Sequence, residues 1–89
     1  MGWTVEVERK AARELKKLGP DAANRILTFL TDRIEGCDDP RTLGAPLRGP
    51  ELGRFWKYRV GDYRIIASIE DETVTILVLS VGHRREVYR

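Results

Sequence analysis

The stretch FWKYRVGDYRII, residues 55–66, decides the fold. Apolar and polar residues alternate on both sides of Gly61-Asp62, the pattern of two half-buried strands joined by a two-residue turn. A glycine there takes the positive φ of a type I′ or II′ hairpin turn. Counting outward, Val60 faces Tyr63, Arg59 faces Arg64, Tyr58 faces Ile65 and Lys57 faces Ile66. Side chains alternate faces along a strand. Lys57, Arg59 and Arg64 therefore share one face, and Trp56, Tyr58, Val60, Tyr63 and Ile65 share the other. A three-residue loop would shift this register and separate the two arginines.

The apolar face needs a cover, and the preceding sequence supplies one. WTVEVE, residues 3–8, alternates as a strand does. In residues 8–19 the period changes, with Ala11, Ala12, Leu15 and Leu18 at helical spacing, and Gly19-Pro20 ends the run. Pro20 suits the start of a second helix. Ala22, Ala23, Ile26, Leu27, Leu30 and Ile34 form its apolar stripe, and Gly36 ends it. Residues 37–53 hold three of the four prolines and predict a loop. Beyond the hairpin, TVTILVLSV predicts a last strand after the turn Glu70-Asp71-Glu72. The expected fold is α+β, ordered β-α-α-β-β-β. It is one domain over residues 1–89, a small antiparallel sheet with the N-terminal helical hairpin packed on one face.

Composition narrows the function. With 89 residues, 42% hydrophobic and 34% charged, the chain suits one small globular domain. No apolar run approaches the roughly 18–20 residues that span a bilayer, and MGWTVEVERK lacks the apolar core of a secretory signal. The single cysteine, Cys37, has no partner for an internal disulfide and fits a reducing, cytoplasmic setting. It is read as a bystander near a helix end. One histidine and one cysteine make no zinc set, and no acidic pair stands at ligand spacing, so neither a metal nor another cofactor is implied. Net charge is only +2, so the distribution matters more than the total. Residues 1–45 are balanced. Residues 46–89 carry eight cations and six acids, three of the acids bunched in the 70–72 turn.

Like charges directly opposite on a sheet destabilise it by a few tenths to about 1 kcal/mol. Two readings of Arg59 opposite Arg64 stand open. Both side chains splay into water, or an anion lies above them, since two guanidinium forks match the oxygens of a phosphate. Further along, VTILVLSVG runs into His83-Arg84-Arg85, with Tyr88 after Glu86-Val87. In a meander this end can return toward the cationic face. It can equally be an ordinary solvated terminus. Ser68 and Ser80 have no histidine near them in sequence, so a serine triad is not suggested. A single histidine also excludes a two-histidine ribonuclease. Cations and a phenol point instead to phosphate chemistry. Arginines stabilise negative charge in the transition state, a lysine among arginines can serve as base, and Tyr88 can stack on a nucleobase. RNA supplies its own nucleophile, the 2′-OH.

These residues resemble a family. Ala11, Leu15, Lys17 and Leu18 in the pattern A-x-x-x-L-x-K-L, LRG at 47–49, WKYRVGDYRII at 56–66 and LSVGHRREVY at 79–88 are together similar to the RelE toxins of bacterial and archaeal toxin–antitoxin pairs. The resemblance covers nearly the whole chain. It implies a RelE-like fold and a ribosome-dependent mRNA endonuclease that cuts in the ribosomal A site without a metal, through attack by the 2′-OH. It implies catalytic positions at Lys57, Arg59, Arg64, Arg84 and Tyr88, with Arg59 standing where the best-known members have lysine. Since arginine keeps its proton, Lys57 is the better candidate for a base. Arg48, His83 and Arg85 are implied as RNA or phosphate contacts, with a structural role for Arg48 and an exposed bystander role for His83 as alternatives. The implied partners are a RelB-like antitoxin, the ribosome and mRNA, and operator DNA for the toxin–antitoxin complex. The ParE branch of the same fold, which poisons DNA gyrase and lacks the RNase set, is the alternative. The chain stops one residue after Tyr88, without the final helix many members carry.

Overall fold

A computed structural model of the chain describes residues 2–47 and 54–83. Strand β1 (Thr4–Val7) leads into helix α1 (Arg9–Leu18) and helix α2 (Pro20–Phe29), which ends in a π-helical turn, Leu30–Ile34. A 3₁₀ turn (Pro40–Leu43) and a two-residue strand β2 (Ala45–Pro46) follow. The chain then forms β3 (Phe55–Val60), β4 (Tyr63–Glu70) and β5 (Thr75–His83), with a 3₁₀ turn at Asp71–Thr73 between the last two. The helix break falls at Gly19-Pro20, where Gly19 has φ 95° and Pro20 opens α2.

The expected α+β order holds, with one correction to the sheet. It is mixed rather than antiparallel, ordered β1-β5-β4-β3-β2, with β1 parallel to β5. The two helices carry the chain back across the sheet before the meander begins, so β1 pairs with the last strand rather than the next one. The short β2 also adds a fifth strand inside the segment expected to be loop, antiparallel to β3.

The hairpin register agrees with the count from the turn. Val60 pairs with Tyr63, Arg59 with Arg64, Tyr58 with Ile65 and Lys57 with Ile66. Gly61 has φ 60° while Asp62 stays at negative φ, the signature of a type II′ turn. One face of the sheet lies under the helices. Ala11, Leu15, Ile26, Leu30 and Ile34 pack there against Tyr58, Ile65, Ala67, Ile76, Val78 and Val81. Tyr58 is 1% exposed, and its hydroxyl donates to the carbonyl of Pro40 at 3.0 Å.

A β-bulge interrupts β5. Ile66 pairs with Ser80 and Ala67 with Val78, leaving Leu79 as the extra residue. The bulge explains how Val78 and Val81, three apart, both reach the core. β1 stops pairing at Val78, so the next stretch of β5 has an open edge. Glu14 of α1 covers it, its Oε1 accepting the backbone N–H of Val81 at 3.0 Å and the Ser80 hydroxyl at 3.1 Å.

Candidate active site on the open face of the sheet

The face away from the helices carries the cations. Register places Lys57, Arg59 and Arg64 together on it. They line a recess of about 280 Å³ with Thr42, Leu43, Gly44, Ala45 and Tyr58. Arg59 is exposed, whereas Lys57 and Arg64 are half-buried. An anion in the recess would meet three positive side chains on a rigid sheet, a preorganised electrostatic site of the kind that stabilises charge developing on a phosphoryl group.

The opposite wall comes from the 3₁₀ turn and β2, and several contacts hold it in place. Asp39 caps the turn, its carboxylate accepting the backbone N–H of Arg41 at 3.1 Å, and the Thr42 hydroxyl donates to the Asp39 carbonyl at 2.8 Å. The Arg41 guanidinium reaches Asp71 in the β4–β5 turn at 2.6 Å. That hydrogen bond holds the exposed Asp71 carboxyl below its usual range. Gly44 passes so close to β3 that a Cβ there would lie 2.6 Å from the Lys57 carbonyl oxygen and 2.8 Å from Cε1 of Tyr58. Glycine is required by close approach, which sets the depth of the recess. Burial pushes the Tyr58 phenol up to about 12, so it stays neutral and supports the wall without charge. Cys37 lies outside the recess lining; burial foremost pushes its thiol up, which leaves it a weaker nucleophile.

His83, implied as an RNA or phosphate contact with a bystander role as the alternative, lies on the opposite face of the sheet from the three cations. It pairs with Tyr63, on the helix-side face, and its ring meets the Tyr63 ring edge-on at a centroid distance of 6.0 Å. The residue that faces Arg64 is Gly82. The β5 bulge is the cause: unbroken alternation from Val78 would have set His83 among the cations. Arg48, Arg84, Arg85 and Tyr88 lie outside the described residues. Among the described residues no group of three metal-ligating side chains comes together, and no helix is long and apolar enough to cross a membrane.

Comparison with known proteins decides the family. Residues 5–88 match the model of the ParE toxin of type II toxin–antitoxin systems, parDE. The chain belongs to the RelE/ParE superfamily of type II toxins. Toxin RelG of Mycobacterium tuberculosis is 35% identical over 89 residues, covering 100% of this chain and 99% of the relative. The mRNA interferase toxin RelE of Escherichia coli is 32% identical over 91 residues, covering 99% and 92%. Among solved structures, the toxin–antitoxin complex RelBE2 of Mycobacterium tuberculosis matches at TM-score 0.83 and 33% identity, over 97% of this chain and 95% of the matched one.

For this superfamily member, the hairpin was the legible part of the site. The wall at Thr42–Ala45 was missed. Its signal was Gly44-Ala45-Pro46, a glycine beside a proline-limited pair, which marks a close backbone approach only once a neighbouring strand is known. Glu14 was missed too, because its partners are 66 and 67 residues away in the chain.

Proposed function

We propose that the protein is a toxin that cuts mRNA in the ribosomal A site and is neutralised by a cognate RelB-like antitoxin. The observation that carries this is the convergence of Lys57, Arg59 and Arg64 on one recess. The relatives named as mRNA interferases and the matched toxin–antitoxin complex support it.

In the proposed reaction the 2′-oxygen of a nucleotide bonds to the adjacent phosphorus and the P–O5′ bond breaks. The 2′-OH proton passes to a base, and the departing 5′-oxygen takes up a proton. Of the three strand residues, Lys57 is the candidate base, acting as the neutral amine, because arginine does not give up its proton. Arg59 and Arg64 clamp the phosphoryl oxygens. By motif position, Arg84 stabilises the transition state or leaving group, and Tyr88 stacks on and orients the substrate, with Arg48 and Arg85 as backbone contacts. No metal takes part. The toxin–antitoxin complex would also bind operator DNA, and the cytoplasm is the expected location.

The test adds purified protein to translating ribosomes carrying a defined mRNA and maps the new ends. Cuts in the A-site codon leaving a 2′,3′-cyclic phosphate and a 5′-OH are expected. Absence of cutting above an Arg84→Ala control overturns the proposal. A second reading is favoured by the matched family model itself, that of ParE: a toxin that binds and inhibits DNA gyrase. Inhibition of supercoiling without RNA cleavage would select it.

A further inference from the structure

The open face of the sheet carries a second kind of surface beside its cations. Leu47 and Ile66 are each 9% exposed, yet both stand outside the core that packs under the helices. Ile66 pairs with Lys57, which places it on the cationic face. Phe55 shares that face, two residues before Lys57 in β3, and it too stands outside the helix-side core. Its carbonyl accepts the backbone N–H of Leu47 at 3.0 Å, so its backbone is fixed between β4 and the segment that follows β2. A small apolar floor therefore continues the recess along β3, away from Arg59. The Phe55 ring is half-buried, and the guanidinium of the exposed Arg54 lies over it, 5.0 Å from the ring centroid. A phenylalanine needed only for the core would sit with Trp56 and Tyr58 on the other face. Here an aromatic plane with a cation over it stands at the end of a cationic recess.

We infer that Arg54 and Phe55 form a base-stacking subsite, which takes the nucleobase of a nucleotide next to the phosphate held by Lys57, Arg59 and Arg64. The inference deepens the function proposed above and rests on its reading of the recess as an RNA phosphate site. A single strand offers a protein two things in alternation, a charged phosphate and a flat base. Proteins hold it with cations along the backbone and with aromatic rings or guanidinium planes against the bases. The open face supplies both in one line along β3. At about 3.4 Å per residue, Phe55 lies roughly 7 Å from Lys57 along the strand, about one nucleotide step from the phosphate. The ring and the guanidinium both accept a base in stacking, and the guanidinium adds cation–π attraction. Stacking of this kind tolerates any base. The subsite therefore sets the register of the strand, deciding which phosphate lies over the cations, and does not select a codon.

The probe is a single-stranded RNA with one 2′-deoxy nucleotide, whose missing 2′-OH blocks cutting, and with 2-aminopurine placed in turn at each neighbouring nucleotide. It is used free and as the A-site codon of programmed ribosomes. The parent should quench the fluorescence at one position where Phe55→Leu abolishes the quenching and Phe55→Tyr keeps it. Phe55→Leu retains the apolar bulk, so it tests the ring rather than the packing, and it should unfold in urea near the parent's midpoint. Affinity for the free RNA should fall about five- to hundredfold in Phe55→Leu, and less in Arg54→Gln. An abasic nucleotide at the quenched position should cost the parent the same factor and cost Phe55→Leu nothing, a coupling that a packing defect does not produce. Quenching that survives Phe55→Leu at every position, or an affinity loss without the abasic coupling, overturns the inference; A-site cutting by the same protein would leave the proposed function standing. Weakened antitoxin binding by Phe55→Leu with unchanged RNA affinity also overturns it and assigns the floor to a protein partner. If the coupling is found but nothing is cut, the endonuclease reading fails and the stacking subsite stands. If the parent binds neither form of the probe, both fail.

Discussion

Tyr58 and Arg59 are neighbours in β3 and meet opposite surroundings. Tyr58 sits under the helices at 1% exposure with its hydroxyl satisfied by Pro40. Arg59 lies in the open recess, directly opposite another arginine. On the helix-side face of the hairpin Tyr58 and Ile65 are buried in the core and the Tyr58 hydroxyl is hydrogen-bonded. On the other, like charges are held together, which is costly for a free sheet and useful to an anion. The difference between the faces is the difference between stability and binding, expressed in alternate residues of the same strand.

Substitutions can break or sharpen that contrast. The largest effect belongs to the helix-side face. Ile65 is fully buried, so Ile65→Ala should cost about 2–5 kcal/mol in urea unfolding. A cost under 1 kcal/mol would mean that the two faces are not packed so differently. Gly44 lies at the junction, where the recess wall meets the Tyr58 ring. Gly44→Ala drives a methyl into the Lys57 carbonyl and should destabilise by about 1–3 kcal/mol. The same variant should weaken phosphate binding in the recess, measured by titration calorimetry.

Tyr58→Phe removes the hydroxyl from Pro40 and should cost about 1 kcal/mol at neutral pH. Its pH dependence has a definite sign. The Tyr58 phenol is raised in the folded state to about 12 from an ordinary value of 10. The unfolded chain therefore loses this proton first. The contribution is fully present below pH 10 and is lost as pH rises from 10 to about 12. The parent should lose its advantage over Tyr58→Phe across that window, read as the difference between the two unfolding curves. The smallest change in stability has the opposite sign. Arg59→Thr relieves the pair with Arg64 and should stabilise the sheet by a few tenths to about 1 kcal/mol. On the proposed function it should also reduce cleavage by about 10²–10³-fold. A variant that is both less stable and fully active would remove the contrast between the faces.

The hairpin and the helix break were readable because local rules set them. A Gly-Asp turn defines a register by counting, and Gly19-Pro20 ends a helix wherever it stands. The orientation of β1 was not readable, because a strand separated from its partner by two helices carries no local record of direction. The recess wall was hidden for a related reason: Gly44 is explained only by the β3 backbone beside it.

His83 marks the boundary most clearly. By itself the sequence determined that Lys57, Arg59 and Arg64 share a face, because pleating and a two-residue turn leave no other register. Only the tertiary structure decided that His83 leaves them. One residue, Leu79, bulges out of β5, and Glu14 from a distant helix takes up the N–H and hydroxyl of the strand's open edge. Alternation is local and can be counted along the chain. Its interruption depends on which groups meet at a sheet edge, and that is settled only when the helix packs.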